Sequence, residues 1–187
     1  MNNKPAIKQS ISIYGYETVS STPLLEKLGI ICQDISVIRK YDKRLQIRSV
    51  KLNTKYQNMA GAILYRNTHV IIYHYDARTR ESFDALRQSI AIQNIRQHKT
   101  GDSVEILVVN NAEESENRKV DPSEGKNLAD SISAKFFELT SDASNFNDFE
   151  MVLESALQDT EGLFPETINL SGAPITSSSW NPCDNAC

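Results

Sequence analysis

No apolar run in this chain reaches the roughly 18 residues that a membrane-spanning helix needs. The polar start Met1-Asn2-Asn3-Lys4-Pro5 lacks the apolar segment of a secretion signal. Both shortages lead to the expectation of a cytoplasmic protein. Cysteine is scarce as well. Cys32 stands alone and reads as a small buried hydrophobe, and Cys183 and Cys187 lie in a tail where no fold would hold a structural disulfide. His69, His74 and His98 are too scattered for zinc spacing, and they form no base–nucleophile pair with a cysteine, so no catalytic residue is assigned. Excess positive charge is missing too: a net charge of −4 gives no reason to expect a nucleic-acid partner. No internal repeat is visible.

What remains is an ordinary soluble composition, 40% hydrophobic and 24% charged, in 187 residues, enough for one domain and a tail. The stretch His69-Val70-Ile71-Ile72-Tyr73-His74-Tyr75-Asp76 is β-branched and aromatic without clean alternation. A strand buried on both faces of a parallel sheet reads this way. Tyr73, His74 and Tyr75 are therefore expected in the core or on a sheet face. Val104 to Val109 is a second such strand, and a helix with Phe83, Leu86 and Ile90 on one line separates the two, over Glu81 to Gln97. Strand, helix, strand, helix predicts a doubly wound α/β domain.

Around that core, Ser10 to Tyr14 alternates as a first strand, Gly15 follows, and Pro23 suits a first helical turn. In such a fold a phosphate-binding loop sits between those two elements. Gln33 to Arg39 and Leu45 to Val50 predict a hairpin turned at Asp42-Lys43, and Lys51 to Ala62 a loop running into a short helix. Ala112 to Lys119 reads as a charged surface loop. Asp121-Pro122-Ser123-Glu124 is a helix start with a capping box, and Leu128, Ala129 and Ile132 should face inward. Ala134 to Leu139 is a last strand, and Asn147 to Gln158 a last helix. The expected division is an N-terminal extension over 1–9, the domain over 10–159, and a flexible tail over 160–187 rich in Gly, Pro, Ser, Thr and Asn.

Several pieces in order resemble the Ras superfamily of small GTPases, the Rab family in particular. Leu64 to Asp76 is similar to the family's Y-Y-R-G-A-x-G-x-x-L-V-Y-D. Arg80-Glu81-Ser82-Phe83 with Leu86 resembles R-E-S-F-x-x-L. Glu124-Gly125-Lys126-Asn127-Leu128-Ala129 resembles E-G-x-x-L-A, and Lys135-Phe136-Phe137-Glu138 resembles K-F-F-E. The resemblance implies a Ras-like P-loop NTPase fold with a mostly parallel six-stranded sheet flanked by helices.

It also implies where nucleotide chemistry should be. The family's phosphate loop, G-x-x-x-x-G-K-S/T, offers backbone N–H groups and a lysine to the phosphates and a hydroxyl to Mg²⁺. Here it reads Gly15 to Thr22: Gly15 and Thr22 remain, Ser20 replaces the second glycine, Ser21 replaces the lysine, and Glu17 adds an anion. Thr22 is the candidate metal ligand if Mg²⁺ binds. The stretch from Leu28 to Leu45 is shorter than the family's, at the first switch. Ser49-Val50-Lys51-Leu52-Asn53 stands where the second switch has D-T-A-G-Q, without its Asp, Gly or Gln. Base recognition, N-K-x-D in the family, reads Asn110-Asn111-Ala112-Glu113, and S-A-K reads Thr140-Ser141-Asp142. The candidate nucleotide positions are thus Gly15, Ser20, Ser21, Thr22, Asn110, Glu113 and Ser141.

The expectation is a GTPase scaffold kept as a binding or regulatory module in vesicle traffic or signalling, with no cofactor. It would hold a protein effector or regulator on the face around residues 29–62. The alternative is a divergent but working GTPase that binds GTP or GDP with Mg²⁺ through Thr22, Asn110 and Glu113. The resemblance also implies a prenylated terminal cysteine. The CaaX position is Asp184, which leaves Cys187 as the lipidation candidate with a peripheral membrane contact through the tail, and an unmodified tail as the other reading.

Overall fold

The computed structural model describes residues 8–16, 24, 28, 35–40, 43–52, 68–92, 103–113, 116–140 and 145–160. Their elements follow in the order β1 (Lys8–Tyr16), β2 (Ile35–Lys40), β3 (Lys43–Leu52), β4 (Val70–Asp76), α1 (Arg80–Ile92), β5 (Val104–Asn110), α2 (Pro122–Ser131), β6 (Lys135–Glu138) and α3 (Phe146–Asp159). Six strands form one sheet in the order β2-β3-β1-β4-β5-β6. Only β2 runs antiparallel; β1 pairs in parallel with β3 and β4, and β5 with β4 and β6. The expected α/β class, with a mostly parallel sheet between helices, is the observed one. Among the described residues no helix is long and apolar enough to cross a membrane.

β4 lies inside the sheet and is covered on both faces, so residues of either parity are apolar. None of Val70 to Tyr75 is more than 2% exposed. One face carries Ile11, Ile13, Ile72 and Val108 against Leu24, Leu28, Phe149 and Leu153. The other carries Tyr14, Tyr73, Tyr75 and Leu107 against Phe83, Leu86, Leu128 and Ala129. Leu24 is helical and Leu28 N–H donates to its carbonyl at 3.1 Å, which agrees with a helix after the loop.

Local chemistry explains the helix ends. Asp121 accepts from Ser123 N–H at 2.8 Å, Glu124 accepts from Asp121 N–H at 3.2 Å, and Pro122 fills the first helical position of α2. At the start of α3, Asn145 donates to the Glu138 carbonyl and accepts from Thr140 N–H, which ties the helix to the end of β6. Lys40 at the end of β2 pairs with Glu150 on α3.

Several boundaries move. β1 starts at Lys8, and Gln9 is buried with its amide donating to the Leu157 carbonyl at 2.7 Å, so the sheet takes in two residues assigned above to the extension. Thr160, assigned to the tail, is buried and its hydroxyl donates to the Ala156 carbonyl at 3.1 Å. Lys40 pairs with Lys43, so Lys43, assigned above to the turn, is already strand. Lys51 and Leu52, expected in a loop, continue β3 because β1 extends far enough to pair with them, through Gly15 and Tyr16. Ala112 and Val120, at the edges of the expected surface loop, are core residues. The predicted parts at 53–67, 93–102 and 161–187 lie outside the described residues.

Gly125 shows why the E-G-x-x-L-A pattern needs its glycine. A Cβ there would strike the Tyr75 hydroxyl and come within 2.9 Å of Phe136 Cε2. That hydroxyl is buried without a hydrogen-bond partner among the described residues, and burial, then Glu138, raises its pKa above the usual phenol value. Alanine is favoured over glycine inside a helix by about 1 kcal/mol, but overpacking a core costs about 1–3 kcal/mol. Gly125→Ala should therefore lower stability in urea unfolding, and Tyr75→Phe in the same chain should recover most of the loss. A single variant more stable than the parent would refute the close-packing account.

Candidate functional site

Parallel strands place their C-terminal ends together, and a ligand in such a sheet binds outside those ends. Here the ends of β1, β4 and β5 bring Gly15, His74, Asp76 and Asn110 together. Gly15 pairs in register with His74, and Asp76 with Asn110. Of the candidate nucleotide residues, Gly15 and Asn110 are therefore placed at these strand ends, and Glu113 lies three residues beyond the end of β5. Ser20, Ser21, Thr22, Ser141 and the lipidation candidate Cys187 lie outside the described residues.

Gly15 is the last residue but one of β1, not a free loop residue. It must be glycine for a steric reason: a Cβ would overlap the His74 ring. The imidazole thus lies directly under the point where β1 hands over to the loop. His74 is 2% exposed. The Asn110 carboxamide nitrogen lies 3.4 Å from His74 Nδ1. The amide donates there when Nδ1 holds the lone pair, which leaves the ring proton on Nε2. Burial pushes the His74 pKa down to about 4 from 6.5.

The residues after Asn110 are held by the protein as well. Asn111 adopts a left-handed backbone, φ 53°, which asparagine tolerates better than most residues. Its amide donates to Asp76 Oδ2 at 2.8 Å. The other Asp76 oxygen accepts from Arg78 N–H at 2.8 Å, and the Arg78 guanidinium reaches both oxygens. Asp76 accordingly raises the Arg78 pKa, first through the hydrogen bond, then through its charge, with Glu113 adding a smaller contribution in the same direction. Glu113 therefore stands in the field of Arg78.

Arg118 closes the segment from behind. Its Nε donates to the Val120 carbonyl at 2.7 Å, one terminal nitrogen donates to the Ala112 carbonyl at 2.9 Å, and the other pairs with Glu138. The backbone helps: Ala112 N–H donates to the Leu139 carbonyl at 3.0 Å, and Ala77 N–H to the Asn110 carbonyl at 2.9 Å.

Sequence reading found Asn110 and Glu113 but missed His74, Asp76, Arg78 and Arg118 as parts of this edge. His74 left a signal, being the one imidazole in an apolar strand where the resembling pattern has valine. Arg118 left none, because two of its partners are backbone carbonyls and the third, Glu138, lies 20 residues away.

With this geometry in hand, comparison with known proteins adds the ancestry. The Ras family model matches residues 35–161. The chain is 28% identical over 144 residues to the rice (Oryza sativa subsp. japonica) Ras-related protein RIC1, covering 73% of this chain and 70% of that one. It is 33% identical over 95 residues to the Dictyostelium discoideum Ras-related protein Rab-8B, where the match spans about half of each chain, 51% and 45%. It is 28% identical over 171 residues to the human (Homo sapiens) Ras-related protein Rab-3D, covering 90% and 74%. The mostly parallel α/β sheet between helices, together with the family match, defines the class as the Ras-like P-loop NTPase fold. Within that class, the chain belongs to the Ras family.

The buried imidazole has a consequence for pH. The unfolded chain binds a proton at His74 near 6.5, whereas the folded chain binds it only near 4. Between those values the unfolded state holds more protons, so stability is complete above pH 6.5 and falls as pH drops toward 4. The loss from this group should be on the order of 3 kcal/mol. Urea unfolding at stepped pH should show it, and His74→Gln should flatten the profile over that window.

Proposed function

We propose that this chain is a Rab-like member of the family that works as a binding module, a pseudo-GTPase with guanine-nucleotide affinity weak or absent. The observation that carries the reading is the end of β3. Ser49, Val50, Lys51 and Leu52, which occupy the positions of the second switch, continue the strand beside Ile13, Tyr14, Gly15 and Tyr16. A carboxylate that would hold Mg²⁺ through water, and a glycine that would sense a γ-phosphate, have no counterpart among those four residues.

The remaining residues fit a magnesium–triphosphate poorly. Ser20 and Ser21 take the places of a glycine and a lysine, Glu17 adds negative charge, and Asp142 stands for a lysine. Four phosphate charges facing fewer cations and more anions bind weakly, because charge-assisted contacts supply most of the grip. Asn111 is engaged by Asp76, so it is less free to meet a base. Losing metal, phosphate and base contacts together while the hydrophobic scaffold stays intact supports a chain retained for its surface. On this reading a protein effector or regulator binds the face around residues 29–62, which includes the sheet-edge strand β2, in membrane traffic or signalling. A lipid on Cys187 would add a peripheral contact with a cytoplasmic membrane face, and an unmodified tail would leave the module without one.

Nucleotide content tests the reading. Protein purified from native cells and denatured should release no GDP or GTP. Micromolar GTP with Mg²⁺ should leave Tm unchanged, since a ligand raises Tm only by binding the folded state. A rise in Tm, or a stoichiometric guanine nucleotide in the supernatant, would establish the working GTPase built on Thr22, Asn110 and Glu113 instead. Intact mass of the native protein separates the two: an isoprenyl group on Cys187 would establish the membrane contact, and an unmodified tail would remove it.

A further inference from the structure

We propose that His74 is a positioning residue: its ring, seated under Gly15, draws the Asn110 carboxamide into the sheet and withholds it from any ligand at the strand ends. The inference deepens the functional reading above and rests on it in treating this edge as one that folds without guanine nucleotide.

β4 is buried on both faces, and every position from Val70 to Tyr75 is close to fully covered. His74 shares a face with Val70 and Ile72, on the side that packs Leu24, Leu28 and α3. A polar ring placed there has to find partners or lose free energy. It finds them sideways, along the strand ends. On one side is Gly15 of β1, whose missing side chain leaves the space that the ring occupies. On the other side is β5, where Val108 is the register partner and Asn110 reaches Nδ1.

Asn110 is placed by the same geometry. It is 7% exposed, and its backbone carbonyl already accepts from Ala77 N–H. With its carboxamide nitrogen on His74, the side chain points along the sheet toward β4. One imidazole therefore links the ends of three adjacent strands, β1, β4 and β5. A ligand seated above the strand ends would otherwise be the group that ties them. The link is internal, so the edge keeps its shape without one.

The steric half of the device is strict. With a side chain at position 15, the ring could not lie where it does. Gly15 is then retained for His74, independently of any phosphate, which explains why that glycine survives in a loop where Ser20 replaces its partner. The polar half is weaker, since 3.4 Å is a long hydrogen bond, and it is the half that needs measurement.

A double-mutant cycle on the full chain without nucleotide decides it. The variants are His74→Val, Asn110→Ala and the double substitution, read by urea unfolding and by the side-chain amide resonances of Asn110. The second substitution should cost less than half of what it costs alone. His74→Val should shift the Asn110 amide resonances and speed their hydrogen exchange. Losses that simply add, or Asn110 resonances unmoved by His74→Val, would overturn the inference. If His74→Val fails to fold, His74→Gln gives a separate test outside the cycle, because its carboxamide can still accept from Asn110; it should leave Asn110 protected, and an Asn110 exchanging as in free asparagine would overturn the inference equally. The outcome is separable from that of the functional reading. A Tm rise with GTP would reject the pseudo-GTPase reading alone, whereas an additive cycle would reject the role of His74 alone.

Discussion

Burial of β4 on both faces is the constraint from which the rest follows. An interior parallel strand has no solvent side, so each residue must be apolar or must find an internal partner. Ile71, Ile72 and Tyr73 meet the first condition and bind the two halves of the core together. The strand's polar residues meet the second: Asp76 at its end caps the turn into α1 and takes Asn111, and His74 takes Asn110. Because β1 and β5 lie on either side of β4, these contacts also order the C-terminal ends of all three strands.

The electrostatics of that edge are turned inward. Asp76 neutralises Arg78, Arg118 is taken up by two carbonyls and Glu138, and Arg80 meets both oxygens of Glu124 at 2.8 Å while also reaching Asp84. A site that grips a triphosphate needs cations left for the ligand. Among the described residues, these arginines are satisfied by the protein's own oxygens. Such contacts order the segments around β4 and β5, and they support a scaffold held rigid by itself. The exposed ion pairs add little to stability individually. Their effect is to set geometry, as with Arg80 spanning from α1 to α2.

Hydrophobic pattern and turn chemistry are local properties, and they were readable. The runs at Val70 and Val104, the Asp121 capping box and the spacing of Phe149, Leu153, Ala156 and Leu157 each announce their element, because period and cap act within a few residues of chain. Strand ends were less readable. Whether Lys51 is strand or loop depends on how far β1 extends beside it, and that partner lies more than thirty residues away. Gln9 and Thr160 look like ends of the domain until each is seen to close on the other, amide to hydroxyl at 3.5 Å.

The same division holds for the site. Composition and motif order alone determined the α/β class, the family likeness and the missing lysine and carboxylate, since those are matters of residue identity. Only the tertiary structure decided where Gly15 and Asn110 sit and what they touch. Gly15 looks like a phosphate-loop glycine in one dimension and is a seat for an imidazole in three. Asn110 looks like a base-recognition residue and is turned toward β4. The physical reason is that hydrogen bonds and steric contacts between parallel strands join residues that are far apart in the chain, as Gly15, His74 and Asn110 are.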